Sequence, residues 1–73
     1  MDPQATWDRL IDAYRAGERD EAQDAADTLL QWLDRGGFPP QTLPGRSMDD
    51  AWNRALARAA CCFVLQQPED RES

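Results

Sequence analysis

The sequence predicts an all-α fold, an antiparallel helical hairpin with a third helix packed across it. Three observations carry this reading. Apolar side chains recur at i, i+3, i+4 and i+7 in three separate segments. Residues suited to helix capping stand at the start of each segment, and glycine and proline gather at the ends. With 73 residues, the chain forms one domain, here 1–67, and the charged stretch 68–73 is expected to be a disordered tail.

The first helix is expected over about residues 3–16. Asp2 suits the N-cap, and Pro3 suits the first helical position because its missing N–H would have no helical partner there. Trp7, Leu10, Ile11 and Tyr14 share one face, with Asp8, Arg9, Asp12 and Arg15 on the other side. Gly17 admits the left-handed backbone that ends a helix.

The second helix is expected over about 20–35, opened by Asp20 and Gln23 in the manner of a capping box. Ala22, Ala25, Ala26, Leu29, Leu30 and Leu33 form its stripe, and Trp32 lies off it. The phrase Gly36-Gly37-Phe38-Pro39-Pro40 then stops the helix. With Gly37 in the left-handed position, Phe38 would fold back on Leu33. This glycine pair lacks the spacing and the lysine of a phosphate-binding loop. Phe38 and Leu43 are expected to anchor the loop 38–46 to the helices.

The third helix is expected over about 48–66. Ser47 and Asp50 read as its capping box, and Met48, Trp52, Ala55, Leu56, Ala59, Cys62 and Phe63 as its core stripe. Cys61, Val64 and Leu65 fall outside that arc, so the last two turns are apolar nearly all round. Three helices offer too little material to surround such a segment. The expectation is therefore an exposed interface formed by Cys61, Val64 and Leu65 with Trp32, most simply a homodimer contact. The alternative is that the loop 38–46 folds over the same surface.

Trp7-x-x-Leu10-Ile11-x-x-Tyr14, followed by Gly17 and Glu21-Ala22, resembles the first helix, turn and second-helix start of a tetratricopeptide repeat. Trp52, Ala55, Leu56 and Ala59 echo it. The resemblance implies a helical hairpin with repeat-like packing. Ile11 stands where a small residue is usual, and the stretch from Gly36 to Met48 is longer than a repeat junction. One hairpin cannot build the family's groove, which needs about three repeats, so no peptide-binding residues carry over. The phrase Leu29–Pro40 is similar to segments of short bacterial proteins, a likeness that implies no activity.

Charge bounds the partners. Fourteen acids against eight bases give a net charge of −6, and every base is an arginine. Such a surface repels phosphate backbones and anionic lipid, which disfavours nucleic acid and membranes as partners. The acidic N-terminus carries no basic and apolar leader, and the longest apolar run, Ala59–Leu65, is too short to span a bilayer, so a cytoplasmic address is expected. The acids Asp12, Glu18, Glu21, Asp24 and Asp27 could form a face for a basic protein partner.

The chemistry of a catalytic site is missing. Without histidine or lysine, neither a serine nor a cysteine nucleophile has its usual base, and Schiff-base chemistry has no amine side chain. Adjacent Cys61 and Cys62 lack the spacing of a zinc site, and helix geometry keeps them from bridging each other. No metal and no cofactor is expected. Arg54 and Arg58 read as a solvated pair, with Arg54 answering Asp50 one turn earlier. The sequence thus points to a non-enzymatic protein–protein interaction module, partnered by itself or by another protein. An acidic adaptor, a thiol redox sensor using an exposed Cys61, and a small-molecule carrier with a pocket among Trp7, Tyr14, Trp52 and Phe63 are the other readings.

Overall fold

The computed structural model describes residues 1–67, so the expected disordered tail, 68–73, lies outside the described residues. Among the described residues, three helices account for the regular structure: α1 over Pro3–Arg15, α2 over Arg19–Asp34 and α3 over Asp50–Leu65. The fold is all-α. Central helix α2 packs against both α1 and α3.

Local chemistry sets the helix ends. Asp2 caps α1, its carboxylate accepting from the backbone N–H groups of Gln4 and Ala5 at 3.0 and 3.4 Å. Gly17, at φ 76°, closes α1. The N–H of Glu18 reaches the carbonyl of Ala13 at 2.9 Å and that of Gly17 reaches Tyr14 at 3.2 Å, the paired bonds of a Schellman motif. The same motif ends α2, with Gly37 N–H to the Trp32 carbonyl at 2.9 Å and Gly36 N–H to Leu33 at 3.0 Å.

Three expectations about these ends need correction. Gly36, at φ 86°, takes the left-handed position instead of Gly37. Gly37 serves a different need: a Cβ there would overlap the Trp32 indole. Helix α2 starts at Arg19 behind Glu18, which makes no side-chain cap, so Asp20 and Gln23 lie inside the helix and form no box. Helix α3 starts later than the Ser47–Asp50 pattern implies. Asp49 is the cap, accepting from the Trp52 N–H at 2.8 Å, while Met48 stays outside the helix with its N–H on the Gln41 side-chain oxygen at 2.9 Å.

The core is built from Trp7, Leu10 and Ala13 of α1, then Ala22, Ala25, Ala26, Leu29 and Leu33 of α2, then Ala57, Cys61 and Val64 of α3. The α2 stripe is the one its periodicity predicts, with Leu30 partly buried. In α1, Tyr14 turns outward and Ala13 takes its place in the core. Helix α3 differs most. It buries Asn53, Ala57, Cys61 and Val64, a face about 125° away from the expected Trp52–Leu56–Ala59–Phe63 stripe. The small side chains of this face let α3 approach the alanine-lined part of α2, where indole and phenyl rings would not fit.

The linker 35–49 is held mainly by polar contacts. Buried Asn53 accepts from the N–H and hydroxyl of Thr42 at 3.2 and 2.9 Å, and it donates to the Met48 carbonyl at 3.0 Å. Gln4 and Gln41 exchange two bonds, at 3.1 and 2.9 Å, tying the linker to α1. Pro39, Pro40 and Thr42 are buried, whereas Phe38 is 62% exposed and does not return to Leu33. Its ring instead meets Trp32 edge-on at 5.7 Å.

Candidate functional site

The expected interface residues do not form a free surface. Cys61 is fully buried and Val64 nearly so, both within the core, and Leu65 packs against them partly buried. Trp32 is also partly buried. Its indole N–H donates to the Phe38 carbonyl at 2.8 Å, and its ring lies over Gly37. The expectation that the end of α3 is too apolar to be covered fails for a specific reason. Helix α2 packs against α3, and Gln23 donates to the Val64 carbonyl at 3.3 Å.

Burial also decides the chemistry of Cys61. Loss of hydration pushes its thiol up to about 11, with the neighbouring Cys62 adding to the shift. A thiol buried and protonated in this way is not the exposed reactive group a redox sensor needs. Cys62 is partly exposed, and both cysteines are free.

What α3 does leave outside is the stripe that periodicity assigned to the core. Trp52 is 47% exposed and Phe63 52% exposed. Ala55 and Ala59 are exposed between them, and Leu56 is half-buried. Trp52, Leu56, Ala59 and Phe63 fall within an arc of about 60°. Tyr14, 48% exposed, extends this surface across to α1, its ring edge-on to Phe63 at 5.9 Å. No Asp, Glu, Lys or Arg interrupts positions 51, 52, 55, 56, 59, 62 and 63.

The two cations of α3 point elsewhere. Arg54 donates to the carbonyls of Leu33 and Gly37 at 3.1 and 3.0 Å, satisfying the C-terminal end of α2, and does not answer Asp50. A cation suits that end because the helix dipole leaves it partly negative. Arg58 pairs with Asp34, whose carboxylate holds the guanidinium proton more firmly than usual. Both arginines therefore brace α3 against α2 and neither is free to grip an anion.

The acids Asp12, Glu18, Glu21, Asp24 and Asp27 are all exposed. Asp12, Glu18 and Glu21 line a surface hollow between α1 and α2 together with Asp8 and Arg9. Arg9 is the organising group. It reaches Glu21 at 2.7 Å and Asp24 at 3.3 Å, and the hydrogen bond it donates to Glu21 raises its pKa. Asp27 accepts from Gln31 at 2.8 Å. Two of the five carboxylates are thus already paired within the chain, which reduces the field offered to a basic partner.

Of the four aromatic residues expected to line a ligand pocket, one lies in the core and three on the outward surface. Trp7 is buried, Trp52, Tyr14 and Phe63 are half-exposed, and Tyr14 and Trp7 line separate hollows. A hollow of about 370 Å³ opens at the hairpin turn, lined by Tyr14, Gly17, Arg19, Ala22, Val64 and Gln67 among others. Among the described residues, no three His, Cys, Asp or Glu side chains stand together as metal ligands, and no helix is long and apolar enough to cross a membrane.

The outward stripe of α3 is an uncharged surface that carries two half-exposed aromatic rings. Its residues were visible in the sequence; their exposure was not. The signal that could have found it is Asn53, a polar residue that splits the apolar surface of α3 into two faces. No family model, curated protein or solved structure matches the chain.

Proposed function

We propose that this chain is a non-enzymatic protein–protein interaction module whose engaging surface is the outward face of α3, and that its partner presents an apolar, weakly charged helix face. One observation carries the reading: Trp52 and Phe63, each about half exposed, stand on one uncharged stripe of a helix that buries a different face against α2. Aromatic side chains half in water cost solvation free energy that a partner would recover, at about 25 cal/mol for each Å² of apolar surface covered. They are also the residue types that dominate binding energy at interfaces. The tetratricopeptide likeness accords with a molecule that works by stacking helix faces, and it supplies no binding residues.

The acidic hollow is a weaker basis for a partner, because Arg9 occupies its centre. Photo-crosslinking in intact cells of the native host tests the proposal. A photoreactive residue at Ala55 should yield an adduct of one discrete size, and Phe63→Glu should abolish it. The same group at Glu21 should yield none. No adduct from Ala55, or equal adducts from both positions, would contradict the proposal.

A further inference from the structure

The stripe on α3 has a property that a general docking surface need not have. Its four residues, Trp52, Leu56, Ala59 and Phe63, are spaced four, three and four apart, the a/d spacing of a coiled-coil seam. The pattern is also symmetric about its midpoint. If two such helices meet antiparallel with that midpoint on a two-fold axis, Trp52 of each copy lies against Phe63 of the other. Leu56 of each copy then lies against Ala59 of the other. We propose that the occupant of this face is a second copy of the chain, paired antiparallel through α3 in this register. The proposal rests on the reading of α3 as the engaging surface and names its partner.

Shape, charge and area favour the same pairing. Opposing leucine with alanine fills the middle of the seam with a large and a small side chain, as close packing requires. Both ends carry two facing aromatic rings, and Tyr14 beside Phe63 completes each end cluster. A parallel pair would oppose Ala59 to Ala59 and leave a gap, and it would align the two helix dipoles side by side.

Charge argues for self-pairing through this face in particular. Residues 1–35 carry nine acids and four arginines, so two copies meeting through the α1–α2 side would repel. Helix α3 with its cap carries Asp49, Asp50, Arg54 and Arg58, a balanced set, and its arginines are turned toward α2. The seam itself offers no fixed charge to a partner of either sign. The three half-exposed rings contribute about 300 Å² per copy, taking 150–250 Å² for a whole aromatic side chain. With Leu56 and the flanking alanines, a symmetric pair approaches the roughly 1,000 Å² at which specific interfaces begin.

The test uses the full chain, purified, in sedimentation equilibrium. The mass should rise from 8.3 kDa toward twice that value between about 10 μM and about 1 mM, the affinity expected of an interface this small. Leu56→Glu and Ala59→Lys should each weaken dimerisation by at least about tenfold, or 1.4 kcal/mol. Helical circular dichroism should be retained in both, since Ala59 is exposed and Leu56 does not join the core. Mixing the two variants should restore a dimer. The antiparallel register sets the carboxylate introduced by L56E in one copy against the ammonium introduced by A59K in the other, while the remaining Leu56–Ala59 contact stays native. A chain monomeric up to about 1 mM, or a dimer indifferent to both substitutions, would overturn the proposal. A dimer that each substitution weakens but mixing fails to restore would overturn the register. Crosslinks in cells from Ala55 to a different protein would leave the interaction reading standing while removing the second copy.

Discussion

Asn53 sits fully buried where α3 meets the linker, and all three of its hydrogen bonds go to protein groups. Its amide replaces water for the Thr42 N–H and hydroxyl, so its removal strands two donors in the interior. Asn53→Ala should therefore cost about 2–3 kcal/mol, the sum of a lost bond and an unsatisfied group. In a domain of this size that corresponds to a fall in Tm of about 10–20 °C by calorimetry. Cys61 makes a second prediction at this scale. Its thiol ionises near 11 in the folded chain against an ordinary value of 9.0, so the unfolded state releases its proton first as pH rises. Stability should be undiminished below pH 9 and should decline between pH 9 and pH 11, by about 2–3 kcal/mol in all at 1.36 kcal/mol per unit. Denaturant titrations of Cys61→Ala should lack this component. Maleimide at pH 7 should modify Cys62 in the native chain and reach Cys61 only after unfolding.

Helix ends and helix faces were unequally legible. Both ends of α1 and the C-terminal end of α2 follow from Asp2, Pro3, Gly17 and the Gly36–Gly37 pair, whose roles depend on local backbone geometry. The start of α3 was ambiguous because Ser47, Asp49 and Asp50 all suit a cap. Gln41 settles it from seven residues away by bonding the backbone of Met48 and holding it outside the helix. This assignment has a direct check: Asp49→Ala should lower stability by about 1 kcal/mol in urea unfolding, and Ser47→Ala should leave it nearly unchanged. The face that α3 buries was illegible for a deeper reason. Periodicity gives the repeat of an apolar pattern, but α3 carries two apolar faces about 125° apart. The larger side chains made the wrong face look like the core. Packing chose the smaller ones, since Ala57, Cys61 and Val64 fit against α2 and Trp52 and Phe63 do not.

For the whole molecule, the consequence is a division of labour among the helices. Residues 1–35, which include α1 and α2, hold nine of the fourteen acids, α2 supplies the centre of the core, and α3 braces itself on α2 with Arg54 and Arg58. The bracing leaves its uncharged aromatic stripe facing outward. The candidate site was thus spelled out in the sequence as residues but assigned to the interior, and two residues of the α3 interior, Cys61 and Val64, were assigned to the surface. Only the three-dimensional phase of α3 separates the two descriptions. That phase, and the role given to the stripe, can be read together by hydroxyl-radical footprinting of the dilute purified chain and of the chain inside its native cells. In dilute solution Trp52 and Phe63 should oxidise readily, and Trp7 and Val64 should be protected. Inside the cell the α3 stripe should become protected while Ile11 on α1 is unchanged. Rapid oxidation of Val64 in the dilute chain, or a stripe equally reactive in both settings, would contradict the account.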